Sequence, residues 1–222
     1  FKKPWSWAVL AGSAILTWTA VSFIQVPLQF LTGRALNFFW SQEILIKWVL
    51  IAAIPSILLT GIVREGSKLV PVVIYWWRKG KNIDPKLGLA IGAAAGLGFG
   101  VFEAVWVHNT IFLYGWNLEA ILTVESFIAV LPFLERFFIV SFHAASSAIA
   151  GWGLAKGWGW QFYLISSFSH AVLNYSVVIF NTGLVSQIQS EVYVAVWTII
   201  VTGFALWLRW RKENKTFVSY IL

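Results

Sequence analysis

Four apolar stretches of this sequence each carry groups that can move a proton or bind a ligand. Glu103 sits near the end of KLGLAIGAAAGLGFGVFEAVWV, residues Lys86–Val107. A carboxylate at the centre of a membrane span costs roughly 2.5–3.5 kcal/mol to insert, so it normally faces a polar interior. Glu65 lies in the unusually polar stretch Ile62–Trp77 beside Arg64, Ser67 and Lys68. Glu65 and Lys68 are three apart and share one helical face. His143 lies within Leu134–Trp152, and His170 and Asn174, four apart on one face, lie within Trp158–Phe180. Singly, each has a structural reading: an ion pair, a buried histidine, a hydrogen bond between helices. Together they aim acidic, imidazole and amide groups from four helices at one depth, a set suited to proton transfer at a single ligand.

The elements that must position these groups follow from composition. The chain has 222 residues, of which 59% are hydrophobic and 11% charged, with mean hydropathy +0.76. A soluble domain is closer to about 45–50% apolar. The expected fold is all-α: one integral membrane domain over residues 1–222, a polytopic bundle of about seven spans. Those spans are Trp7–Ile24, Glu43–Thr60, Ile62–Trp77, Lys86–Val107, Leu134–Trp152, Trp158–Phe180 and Val192–Leu208, with Gly61 breaking the second from the third. Leu118–Leu131, which carries Glu119 and Glu125, is too short to span and reads as a re-entrant or interfacial helix; Ala35–Trp40 also reads as interfacial. Gly88, Gly92, Gly96 and Gly100 recur every fourth residue and form a stripe for close helix packing. The fifteen Trp and eighteen Phe suit aromatic belts in contact with membrane lipids. The absence of Cys excludes disulfides, thiolate metal sites and a Cys nucleophile. With no Met, Phe1 is not an initiator and a processed or trimmed chain is expected; the first stretch reads as a helix rather than a signal peptide.

The net charge of +7 is spread over loops and span ends, which suits a membrane face and not nucleic acid. Arg209, Arg211, Lys212 and Lys215 place the C-terminus in the cytoplasm, and counting back through seven spans places the basic loop Arg78–Lys86 there too. The same count leaves Lys2 and Lys3 outside, against the rule. The location expected is a prokaryotic plasma membrane.

In order and spacing, these residues resemble the PrsW and YhfC type of intramembrane protease, within the superfamily of CAAX-processing and bacteriocin-processing membrane proteases. The family pattern is EExxK or EExxR, FxxxE after a glycine-rich run, a later His, then HxxxD or HxxxN. Here these read Arg64-Glu65-Gly66-Ser67-Lys68, Phe99-Gly100-Val101-Phe102-Glu103, His143, and His170-Ala171-Val172-Leu173-Asn174, over residues 61–175. The resemblance implies hydrolysis of a peptide bond of a membrane protein or peptide in or beside the membrane. It makes Glu65 or Glu103 the base, His143 a base or ligand, His170 and Asn174 oxyanion stabilisers, and Lys68 a charge partner. A zinc ion bound by His143, His170, Glu65 and Glu103 and a metal-free glutamate mechanism both remain open. One position departs: Arg64 stands where the family has its first glutamate. The alternative is therefore an inactive relative serving as scaffold or subunit of a membrane complex, with Arg64 neutralising a buried carboxylate. A third reading is non-proteolytic, with His143 and His170 ligating haem or the acids and imidazoles forming a proton relay.

Overall fold

A computed structural model describes residues 4–113 and 126–211. The chain is a polytopic helical bundle, and no strand occurs among the described residues. In chain order the helices are α1 (Pro4–Ala20), a π-helical turn (Val21–Gln25), α2 (Val26–Phe39), α3 (Gln42–Lys47), α4 (Val49–Ala52), α5 (Ile54–Arg78), α6 (Pro85–Leu113), α7 (Ser126–Ala155), α8 (Gly159–Asn181) and α9 (Gln187–Trp210). Their ends carry local signals. Ser186 and Gln189 form a capping box at the start of α9, and Asp84 Oδ1 accepts from the backbone amides of Lys86 and Leu87 at the start of α6. Gly80, Gly157 and Gly183, all at positive φ, follow the ends of α5, α7 and α8, where only glycine turns the chain without strain.

Among the described residues, six stretches are long and apolar enough to cross a membrane: Pro4–Phe39, Val49–Arg78, Pro85–Asn109, Val130–Ala155, Gly159–Asn181 and Gln187–Trp210. Within these, the second and third expected spans fall in one stretch because the chain does not break at Gly61. Helix α5 runs unbroken through it, from Ile54 near the end of the second expected span to the end of the third. Gly61 is a packing residue: a Cβ there would lie 2.1 Å from the Ser167 carbonyl oxygen of α8. Ala35–Trp40 likewise does not form a separate interfacial segment, since α2 continues to Phe39. Most of the expected re-entrant helix lies outside the described residues; its last part, from Ser126, belongs to α7.

Helix α6 is at the centre. A Cβ at Gly88, Gly92 or Gly96 would lie 2.5, 2.0 or 2.0 Å from the carbonyl oxygens of Gly151, Ser147 and His143 on α7. The glycine stripe therefore lets α7 lie almost backbone to backbone on α6. On another face, Gly98 meets the Leu10 carbonyl of α1, whose buried side is the small row Ser6, Val9, Ser13, Thr17 and Ala20. Because the Gly96 contact is with backbone, no rotamer change relieves a larger residue. Gly96→Val is expected to lose at least about 1–3 kcal/mol, read as a lower thermal midpoint of the protein in detergent.

Candidate active site

The close approach of α6 and α7 brings Glu103 and His143 together, and α5 and α8 close the cluster from the other side. His143 Nε2 lies 2.9 Å from Glu103 Oε2, and His143 Nδ1 lies 3.1 Å from Lys68 Nζ. An ammonium can only donate, so Nδ1 accepts from Lys68 and Nε2–H donates to Glu103. Lys68 Nζ also donates to Glu65 Oε1 at 2.5 Å, and the same oxygen accepts from His170 Nδ1 at 2.7 Å and Ser146 Oγ at 2.9 Å. Phe99 closes the cluster, with Lys68 Nζ 5.2 Å from its ring centroid. Glu65, Lys68 and His170 are completely buried and His143 is 1% exposed. In such surroundings ions persist only when paired and hydrogen-bonded.

Arg64, one residue before Glu65, points to the other side of α5. Its Nη1 pairs with Glu103 Oε1, and its Nε donates to Gln25 Oε1 at 2.9 Å. Gln25 is buried at the end of the π-helical turn and continues through Gln29 to Thr60 on α5. The result is one connected polar chain: Gln29, Gln25, Arg64, Glu103, His143, Lys68, Glu65, His170. Arg64 thus contacts one of the two glutamates and does not enter the space between Glu65, His143 and His170.

A cavity of about 310 Å³ opens beside this chain. Arg64, Glu103, His143 and Asn174 line it, together with Gln25, Glu135 and Arg136. Glu65 and His170 are behind this wall. All the residues singled out in the sequence converge on the cavity or on the cluster behind it, except the glycines, which set the helix spacing. Asn174 lines the wall without bonding to the glutamates or histidines. Four contributors were missed. Ser146 is three residues after His143 on the same face, and Phe99 belongs to the FxxxE motif, so both had a signal in the spacing. Gln25 had only its polarity beside Pro27, and Arg136 had none beyond its charge at a span end.

The donor chemistry of the cluster suits a divalent cation. With Nδ1–H given to Glu65, His170 keeps a bare Nε2, and both this atom and Glu65 Oε2 are buried with no hydrogen-bond partner. Histidine ligands characteristically give their other N–H to a carboxylate in this manner. Ligand atoms of Glu65, His143 and His170 lie within 4.8 Å of one another. Tetrahedral zinc with bonds of about 2.0–2.1 Å sets its ligand atoms roughly 3.3–3.4 Å apart, so binding would draw these groups together by up to about 1.5 Å.

The chain is thus a polytopic helical bundle that buries two glutamates, two histidines and a lysine beside a cavity. The particular family is settled by comparison: residues 3–204 match the PrsW-protease family, PrsW family intramembrane metalloprotease, and the chain belongs to that family. No curated protein and no solved structure matches the chain.

Proposed function

We propose that the protein hydrolyses a peptide bond of a membrane protein or peptide in the outer half of a prokaryotic plasma membrane. The observation that carries this reading is the Glu103–His143 pair on the cavity wall, backed by the free donors of Glu65 and His170. Of the two clustered glutamates, Glu103 reaches the cavity and Glu65 does not, so water activation falls to Glu103. His143 Nε2–H orients that carboxylate. Glu65 holds Lys68 and fixes the His170 tautomer. His170 has only a lone pair left to offer, which suits a cation and not an oxyanion; Asn174, on the wall, is the amide donor for the carbonyl oxygen as it gains charge. A zinc ion held by Glu65 Oε2 and His170 Nε2, with His143 Nδ1 joining only if Lys68 releases it, would supply Lewis acidity toward that oxygen.

A second reading has its own observation. Arg64 pairs with Glu103, as expected of a relative that has exchanged hydrolysis for a static polar network and a place in a membrane complex. The two readings separate on incubation of the protein in nanodiscs with single-span peptides, products being read by mass spectrometry. Cleavage that disappears in Glu103→Gln supports the peptidase. No cleavage of any peptide, with a stoichiometric membrane partner co-purifying, supports the second reading. For the metal, His170→Ala is expected to weaken zinc binding by roughly 10- to 100-fold or more, measured as metal content after dialysis against zinc buffers.

We infer an orientation from the six candidate spans, which bring Pro4, Arg211 and the turn between α5 and α6 to one side. Among the described residues, Arg78, Lys79, Lys81, Lys86, Lys156, Arg209 and Arg211 fall on that side, against Arg34, Lys47 and Arg136 on the other. By the positive-inside rule this side is cytoplasmic.

A further inference from the structure

The cavity wall has an imbalance between hydrogen-bond donors and acceptors. Both oxygens of Glu103 are engaged, Oε1 by Arg64 and Oε2 by His143. Glu135 accepts from Arg136 Nη2 at 2.5 Å through Oε1 and is itself 28% exposed on its side chain. Gln25 Oε1 is engaged by Arg64 Nε. The donors are less fully used. Arg64 spends Nε and Nη1 and leaves Nη2 without a protein partner among the described residues, with its side chain 18% exposed to the cavity. Arg136 Nε is buried and makes no hydrogen bond. The Asn174 amide faces the same space. A guanidinium carries five N–H donors in a planar fork, and an unfilled buried donor is costly. Arg64 and Arg136 are matched in charge by Glu103 and Glu135, but their unfilled N–H donors leave room for a ligand that brings acceptor oxygens.

We propose that Arg64 and Arg136 form a receptor for a carboxylate of the substrate, close to the bond that Glu103 addresses. This deepens and rests on the peptidase reading, since it names the class of peptide the site takes. The carboxylate belongs either to an Asp or Glu side chain or to a free peptide C-terminus. The rest of the wall is apolar, with Ile57, Val107, Ile139, Val177 and Val194, so the residues flanking the carboxylate are apolar. Arg64 then has a positive role. The exchange of an acid for a guanidinium converts a wall that would repel an anionic peptide into one that holds it by bidentate hydrogen bonds. It changes which substrate is bound and leaves Glu103 in place.

The test is binding, which requires no turnover. Four probes are titrated into the detergent-solubilised protein: acetyl-Leu-Ala-Leu-Glu-amide, its Gln counterpart, acetyl-Leu-Ala-Leu with a free C-terminal acid, and the same peptide as its amide. The expected result is that an acid binds roughly tenfold or more tightly than its uncharged counterpart. The side-chain pair and the C-terminal pair separate the two sources. In Arg136→Gln and in Arg64→Gln the preference falls to nearly nothing, whereas Arg136→Lys, which keeps the charge and loses the fork, retains part of it. Equal binding of acid and amide by the unaltered protein overturns the inference, with no variant needed. So does a preference that survives both Gln variants. A protein that prefers acids yet cleaves nothing keeps the carboxylate receptor and loses the peptidase, so the two failures are distinguishable.

Discussion

Glu103→Gln is expected to remove hydrolysis while the protein stays folded. The glutamine has nearly the same volume and still offers an oxygen to His143 Nε2–H, so the 2.9 Å contact across α6 and α7 survives. Arg64 keeps its Gln25 partner and has open cavity on its other side. What disappears is the negative charge able to take a proton from water. A positioned general base contributes roughly 10²–10⁴-fold to a rate, so cleavage of any substrate peptide should drop by about that factor. The thermal midpoint of the variant should fall, though by less than in the fully buried Lys68 pair, because Arg64 keeps 18% of its side chain exposed. Full activity in this variant would remove Glu103 from the mechanism and return the base role to Glu65, despite its burial.

Lys68→Met has the largest expected effect on stability. Lys68 is the only cation touching Glu65 among the described residues, and neither side chain has any exposed surface. Removing it leaves a carboxylate in the interior with His170 and Ser146 as partners and no compensating full charge. Breaking a buried pair from one side costs about 3–5 kcal/mol, which should appear as a steep loss of thermal stability in detergent or of folded yield. The double variant Lys68→Met with Glu65→Gln should regain much of that loss, because both charges go together. A Lys68→Met protein as stable as its parent would mean that Glu65 is already neutralised by another cation.

Much of the site was legible in the sequence because a membrane interior is unforgiving of charge. Glu65, Lys68, Glu103, His143 and His170 stood out against apolar surroundings, and their order matched a family. The glycine stripe was legible for the same reason, since a repeat of four in an apolar helix has little use besides close packing. Gly61 was misread because glycine in a membrane helix marks either an end or an approach, and the distinction depends on what lies opposite, here the Ser167 carbonyl. Gln25 was illegible for a different reason. The π-helical turn Val21–Gln25 adds a residue to one helical turn and rotates everything after it, so a face count at 3.6 residues per turn cannot show that Gln25 points at Arg64. The turn thus brings the Gln25 side-chain carbonyl oxygen within 2.9 Å of Arg64 Nε on α5.

The way charges are divided between α5 and α6 bears on how the chain enters the bilayer during synthesis. Glu65 is cancelled within α5 by Lys68, but Arg64 on α5 and Glu103 on α6 cancel only each other. Inserted singly, each helix would carry one uncompensated charge, at roughly 2.5–3.5 kcal/mol apiece near the bilayer centre. Inserted as a hairpin across the short turn that follows Arg78, they enter with no net charge between Arg64 and Glu103. The nascent chain should therefore commit α5 to the membrane poorly until α6 has emerged, and a glycosylation-tagged truncation ending before Pro85 should insert less completely than one extending through Leu113.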